Sequence, residues 1–254
     1  MCWGMFCYIP GPKKWDEEAR PYMLAWLPTV GAIMGIIWAL CLKLFLMYDI
    51  PDMAASALLV WIPFILSGFM HVDGYMDVND AIMSRGTLEK KRMILKDSRC
   101  GTFAIVSLIF LILIEFGCMS SRYSGIHYGY VDWGVSLYSL AQLVMIMMVP
   151  RTVSGFMMMT AKPMETSQYV EMKKNTGAIA FLIAQAIVYI AVMIILISNV
   201  GVSALCFTLI MCVAGSLISI LFAKHDLQGM NGDIAGYGIL WGELLGIASL
   251  MLIG

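Results

Sequence analysis

The chain has 254 residues, of which 61% are hydrophobic and 13% are charged, with a formal net charge of -1 and a mean hydropathy of +0.84. This composition excludes an ordinary soluble domain and indicates a polytopic membrane protein, while the neutral charge balance argues against nucleic acid as a partner. The seven cysteines form no C-x-x-C pair, so we expect buried thiols rather than disulfides or a zinc site. No signal-peptide pattern opens the sequence, and no removable leader is expected.

About seven apolar segments approach the roughly 20 residues that a transmembrane helix needs. The second segment is short and contains Pro63 and Gly68, so we expect it to be kinked or only partly inserted. The sequence therefore predicts an all-α, polytopic integral membrane protein with about seven transmembrane helices in a single domain over residues 1–254. The predicted spans are 23–48, 53–70, 101–119, 133–149, 176–198, 201–222 and 235–253.

The basic residues predict the orientation in the membrane. With the N-terminus in the cytoplasm, fourteen of the sixteen Lys and Arg residues fall on the cytoplasmic side, and only Lys43 and Arg122 do not. The acidic segments between spans then face the cytoplasm, where phosphorylated metabolites are found. The cytoplasmic basic residues are Lys13, Lys14, Arg20, Arg85, Lys90, Lys91, Arg92, Lys96, Arg99, Arg151, Lys162, Lys173, Lys174 and Lys224.

An acidic segment, His71–Asp80, directly follows the second apolar run. Asp73, Asp77 and Asp80 are four and three residues apart, which places their carboxylates on one face of a helix. Their repulsion is relieved by a divalent cation, and Mg²⁺ prefers oxygen ligands that it shares with phosphates. An acidic helix end near the headgroups is the weaker alternative. His71 is open to three roles, namely orienting a carboxylate, contacting phosphate or acting as general base.

Two further segments open predicted spans. In Lys96–Thr102, Lys96 and Arg99 are suited to phosphate, although basic residues at a cytoplasmic span end are equally typical of topology signals. In Gln228–Asp233, Asp233 is either a helix N-cap or a metal or ribose contact. Of the acids inside apolar spans, Glu243 stays a candidate, whereas two that are expected toward the far side, Glu115 and Asp132, are set aside.

These segments resemble the cobalamin synthase family, the adenosylcobinamide-GDP ribazoletransferases. The resemblance covers nearly the whole chain, and its first two blocks match in order and spacing. The C-terminal block has Met230 and Asn231 at less usual places. The matching segments are His71–Asp80, Lys96–Phe103, Gly229–Asp233, Ile9–Pro12, Arg20–Pro21 and Leu27–Gly35.

The resemblance implies a Mg²⁺-dependent enzyme of the bacterial cytoplasmic (inner) membrane that completes the nucleotide loop of cobalamin. It would join adenosylcobinamide-GDP to α-ribazole, or its 5′-phosphate, and release GMP. Oligomeric state, single chain or homo-oligomer, stays open. The implied roles are metal binding by Asp73, Asp77 and Asp80, phosphate binding by Lys96, Asp97, Arg99 and Asp233, and catalysis by His71, Asp73 and Asp77.

Two other classes of protein compete with this interpretation. A CDP-alcohol phosphotransferase also uses an acidic cluster, but Asp73-Gly74 is not followed by Ala-Arg, and Gly86 has no acids at the required offsets. A metal or cation transporter would carry its acids within the spans, whereas here they lie at span ends.

Overall fold

The computed structural model describes residues 2–11, 22–97, 99–129, 133–164, 175–197 and 202–252. Within these ranges the chain is helical apart from turns and one isolated bridge between Pro163 and Met230. The α-helices are α1 (Cys2–Phe6), α2 (Leu27–Met47), α3 (Asp52–Leu66), α4 (Met70–Met83), α5 (Leu88–Ile94), α6 (Thr102–His127), α7 (Trp133–Thr160), α8 (Thr176–Ile197), α9 (Val202–Leu227) and α10 (Gly232–Leu252).

The helices confirm an all-α polytopic membrane protein, and the described residues contain five or six candidate spans, where about seven were predicted for the whole chain. Five of the described helices are long and apolar enough to cross a membrane, namely α2, α6, α7, α9 and α10. A sixth span is obtained if α3 and α4, which meet at an angle of 91°, are counted together. α8 is not counted among these candidate spans. The part of it that was tested, Thr176–Val192, is apolar but shorter than the 18 residues that the other spans exceed.

The predicted second span is broken, as its Pro63 and Gly68 had indicated. α3 ends at Leu66, and both Gly68 (φ +61°) and Phe69 (φ +60°) adopt the left-handed conformation. That conformation has little cost for glycine but is unfavourable for Phe69, so the surrounding packing must hold the turn. The break turns α4 away from α3 and directs the acidic segment along α10, which packs against α4.

The predicted fourth span is wrong at its C-terminal end. We expected it to stop at residue 149 and Arg151 to lie in a cytoplasmic loop, but α7 continues through Pro150 to Thr160, and Arg151 is 1% exposed. A proline is tolerated inside a membrane helix where neighbouring helices compensate for the lost hydrogen bond. Arg151 is therefore a basic residue buried inside the helix bundle, and not part of a cytoplasmic loop.

The helices that carry the site pack at backbone contact. On α2, a Cβ added at Gly31 would meet the Met147 backbone oxygen on α7 at 2.5 Å. On α10, a Cβ added at Gly236 would meet the His71 backbone on α4 at 3.2 Å. Small residues allow this approach because helix association in lipid depends on close packing. Large apolar side chains such as Phe110 and Ile218 remain exposed on the outside, where lipid would cover them.

Candidate active site

The site forms where α4 and α10 pass each other. Gly74 on α4 touches α10 so closely that a Cβ there would lie 2.8 Å from Cα and 2.9 Å from the backbone oxygen of Asp233. Because a larger residue at position 74 would separate the helices, this glycine fixes how near Asp233 comes to the α4 acids. Residues that are about 160 positions apart in sequence thus meet at one opening.

Three carboxylates collect at this opening. Asp73 is exposed, and Asp77 and Asp233 are half-buried. Asp77 lies within electrostatic range of Asp73, Asp233 and Asp80, so like charges act on it from both helices. Among the described residues, no group of three or more His, Cys, Asp or Glu side chains is close enough to hold a metal ion by itself. The arrangement is therefore an open acidic cluster, which we call the acid opening (Asp73, Asp77 and Asp233).

Asp80 binds the start of α6, unlike Asp73 and Asp77, which lie at the acid opening. Its carboxylate accepts hydrogen bonds from the backbone N–H groups of Gly101 (2.6 Å) and Ala104 (2.9 Å), at the N-terminus of α6. A negative charge is favourable at that end of a helix, and the bonds satisfy donors that the helix leaves open. Asp80 is buried and joins the acidic segment to the predicted phosphate-binding segment. The predicted metal contact by Asp80 stays a prediction.

Asn231, rather than Asp233, caps the last helix. The Asn231 side-chain oxygen accepts a hydrogen bond from the N–H of Ile234 (3.0 Å), and its amide donates to the Asp233 carboxylate (2.6 Å). The N-cap alternative for Asp233 is therefore wrong. Since Asn231 holds only one carboxylate oxygen, Asp233 can still present the other at the acid opening.

Lys96, Asp97 and Arg99 lie on the surface segment that leads into α6. Lys96 is exposed, and the Arg99 guanidinium donates to both carboxylate oxygens of Asp97, at 2.7 to 3.1 Å. These bonds lower the pKa of Asp97 to about 2, so Asp97 is ionised and orients Arg99. Ser98 lies outside the described residues. A phosphate would have to share Arg99 with Asp97, and the predicted phosphate contacts stay predictions.

The thiol of Cys100 lies in the negative potential beside the acid opening. Desolvation and, after it, the charges of Asp80, Asp77 and Asp73 raise the pKa of this exposed thiol above its usual 9.0. The acids of α4 therefore act on the segment that carries Lys96 and Arg99, across the contact between Asp80 and Gly101.

His71 does not face the acid opening. It is 4% exposed, packs against Gly236, and its Nε2 has no hydrogen-bond partner among the described residues. Two residues along a helix turn the side chain by about 200°, which explains why Asp73 is exposed and His71 is buried. The geometry therefore separates His71 from the two aspartates with which it was grouped.

A buried ion pair lies deeper in the bundle, which the sequence did not predict. The Arg151 guanidinium donates to the Glu243 carboxylate at 2.6 Å and to the Met147 backbone oxygen at 2.6 Å, joining α7 to α10. Glu115, which had been set aside as a far-side residue, is 2% exposed and lies within electrostatic range of Glu243. The sequence feature that could have indicated this pair is an ionisable residue on each of two apolar helices, Arg151 on α7 and Glu243 on α10. Asp132 lies outside the described residues.

The chain is similar to known proteins over its whole length. The family model described as Cobalamin-5-phosphate synthase matches residues 1–251. An adenosylcobinamide-GDP ribazoletransferase of Clostridium perfringens (strain 13 / Type A) is 33% identical over 255 residues, covering 100% of this chain and 96% of the relative. One from Clostridium botulinum (strain Alaska E43 / Type E3) is 33% identical over 99% of this chain and 96% of its own. One from Lachnoclostridium phytofermentans is 27% identical over 100% of this chain and 93% of its own. No solved structure is a significant match.

Proposed function

The chain belongs to the cobalamin-5-phosphate synthase family, and from this premise we propose how its acid opening carries out the adenosylcobinamide-GDP ribazoletransferase reaction. The observation that supports the assignment is the meeting of Asp73, Asp77 and Asp233 beside a segment with exposed Lys96 and Arg99. An acidic cluster next to cations is suited to a pyrophosphate that arrives with a divalent metal ion.

The acid opening fits Mg²⁺ by the chemistry of its donors. Carboxylate oxygens are the ligands that Mg²⁺ prefers, and the mutual repulsion of Asp77, Asp73 and Asp233 would be relieved by a cation. Mg²⁺ usually takes one or two carboxylates and completes its shell with water and substrate phosphates, so a closed protein cage is not required. We assign Asp77 and Asp233 as the residues that would hold it. Bound there, Mg²⁺ would neutralise pyrophosphate charge.

The protein residues then position the two substrates. A ribazole hydroxyl oxygen attacks the phosphorus that is attached to cobinamide, the bond from that phosphorus to the bridging oxygen breaks, and GMP leaves with the electron pair. Lys96 and Arg99 stabilise the charge of the departing phosphate. The hydroxyl proton passes to an aspartate at the acid opening, because His71 is buried on the other side of α4. Asp80 acts by holding the start of α6, and thus this cationic segment, against α4.

The test is an assay of membranes with adenosylcobinamide-GDP and α-ribazole, with Mg²⁺ and with a chelator. We expect corrinoid product and GMP with Mg²⁺ only. We expect Asp77→Asn to lower turnover by about 100-fold, the scale of losing one preorganised charged contact. Asp49→Asn is the matched control, because Asp49 is an exposed acid beside His127, at the other end of α6. Full Mg²⁺-dependent turnover by Asp77→Asn would refute the metal assignment, and absence of product from the wild type would refute the reaction.

The other candidate functions have less support. The three relatives reported above carry the ribazoletransferase name, which favours this reaction over a CDP-alcohol phosphotransferase or a transporter. A location in the bacterial cytoplasmic membrane, with the acid opening toward the cytoplasm, is part of the proposal and rests on the distribution of Lys and Arg. Reaction of Cys100 with a membrane-impermeant thiol reagent, in inside-out but not right-side-out vesicles, tests that orientation.

A further inference from the structure

Asp233 is held at the acid opening through its backbone and, separately, through its side chain. Its Cα and backbone oxygen lie against Gly74, where the contact between α4 and α10 leaves no room for a Cβ. Its carboxylate accepts a hydrogen bond of 2.6 Å from the side-chain amide of Asn231. The helix contact therefore determines the position of Asp233, and Asn231 determines the direction of its carboxylate.

Asn231 is itself fixed through its side chain and its backbone. The side-chain oxygen accepts a hydrogen bond from the N–H of Ile234 at 3.0 Å, and the backbone oxygen accepts one from the N–H of Ala235 at 3.2 Å. A side-chain amide has its acceptor and its donors on different atoms. Because the oxygen caps α10, the nitrogen has a fixed direction, and it donates to the Asp233 carboxylate.

The turn before Asn231 is held by two other parts of the chain. Met230 is 1% exposed, and its N–H donates to the Lys162 carbonyl oxygen at 2.9 Å, next to the end of α7. Arg92 on α5 donates to the Gln228 carbonyl oxygen at 3.0 Å. The backbone at Asn231 is therefore fixed independently of the carboxylate that its amide binds.

The hydrogen bond from Asn231 leaves Asp233 with one carboxylate oxygen for a metal ion. Ca²⁺ binds about six to eight oxygens and accepts both oxygens of one carboxylate, whereas Mg²⁺ requires a smaller octahedral shell and keeps several waters. A carboxylate with one oxygen engaged is thus suited to Mg²⁺ and cannot act as a bidentate ligand of Ca²⁺. A carboxylate with both oxygens available would suit either ion.

We propose that Asn231 is a positioning residue that favours Mg²⁺ over Ca²⁺ at the acid opening, because it leaves Asp233 a single oxygen for the ion. This inference rests on the proposed function, in which Asp77 and Asp233 hold the ion, and it adds the residue that selects which ion binds. The selection matters for the reaction, since a displacement of reacting groups by about 1 Å costs up to about 100-fold in rate.

The test measures ion binding without turnover. In purified protein, Mg²⁺ or Ca²⁺ displaces bound Mn²⁺, and the free Mn²⁺ is followed by its EPR signal. Asn231→Ser keeps an oxygen that caps α10, because serine is as good an N-cap as asparagine, but it removes the amide nitrogen that binds Asp233. We expect the affinity for Ca²⁺, relative to that for Mg²⁺, to rise about 10-fold, the scale of one hydrogen bond to a charged group. During turnover, Ca²⁺ should inhibit this variant at a correspondingly lower concentration.

Two further variants separate capping from positioning. Asn231→Ala loses the cap as well as the amide, so we expect the same change in ion preference together with a lower Tm. Asn175→Ser is the matched control. Asn175 caps α8 by accepting a hydrogen bond from the N–H of Ala178, also at 3.0 Å, and α8 carries no residue of the acid opening. The control should keep the ion preference of the wild type.

The outcomes distinguish this inference from the proposed function. An unchanged ion preference in Asn231→Ser, a change in Asn231→Ala alone, or an equal change in Asn175→Ser would overturn the inference, because Asn231 would then act only as a helix cap. Mg²⁺-dependent turnover by the wild type would still support the proposed function in those cases. A wild-type protein that binds no displaceable Mn²⁺ would instead refute the metal assignment, and the inference with it.

Discussion

Replacing Gly74 by alanine should separate α4 from α10 and damage the site without removing any functional group. The added Cβ would lie 2.8 Å from Asp233 Cα, whereas ordinary contacts begin at 3.4 Å, so the helices must shift by at least about 0.6 Å. The Asp233 atoms that the added Cβ would meet belong to the backbone, so no side-chain rotation relieves the clash. Overpacking of this kind costs about 1–3 kcal/mol. Displacement of catalytic groups by about 1 Å costs up to about 100-fold in rate.

The assay for Gly74→Ala combines thermal unfolding in detergent with kcat/KM at saturating Mg²⁺. We expect a lower Tm and a fall of about 10- to 100-fold in kcat/KM. Gly117→Ala is the matched control, because Gly117 lies inside α6 and a Cβ there meets nothing within 4 Å. That variant should be neutral or slightly more stable, since alanine is the better helix former. If the two variants behave alike, backbone contact between α4 and α10 does not position the site.

Three smaller changes test other contacts. Asp80→Ala leaves the buried N–H groups at the start of α6 without their acceptor and should destabilise the protein by about 1–2 kcal/mol, measured as a lower Tm. The partly buried pair Lys91–Asp226, with side chains 13% and 28% exposed, should show a coupling of at most about 1 kcal/mol in a double-mutant cycle. Desolvation and, after it, the charges of the α4 carboxylates raise the pKa of the Cys100 thiol, so less thiolate forms at pH 8. Both Mg²⁺ and Asp77→Asn remove part of that negative charge and should accelerate alkylation of the thiol.

The Asp80 and Cys100 measurements have matched controls, and each of the last two measurements has a result that would contradict it. Asp80→Asn keeps one acceptor oxygen and should lose less stability than the alanine variant. Alkylation of Cys100 is measured with the other exposed cysteine, Cys206, replaced by serine. An alkylation rate that does not respond to Mg²⁺ would show that the ion does not bind beside this segment. A coupling well above 1 kcal/mol for Lys91 and Asp226 would mean that their environment is less hydrated than their exposure indicates.

Local pattern was enough to predict the helical membrane fold, the break in the second span and the grouping of Asp73 with Asp77. Hydropathy and residue spacing act over a few turns of one helix, and those features depend on nothing further away. The same locality explains the errors. The fourth span was expected to end at residue 149, just before Pro150, and Arg151 to lie on the cytoplasmic side. A single sequence does not reveal which neighbouring helices replace the hydrogen bond that a proline removes.

The tertiary structure decided which distant residues share a site. In the folded chain Asp233 lies against Gly74, and Asp80 accepts hydrogen bonds at the start of α6. His71 points into the bundle, and Arg151 pairs with Glu243, 92 residues further along the chain. These outcomes follow from how closely two helices approach, which depends on small residues and buried partners on other helices. The sequence determined which candidate groups the chain offers for the chemistry, and helix packing determined which of them face the opening and which lie behind it.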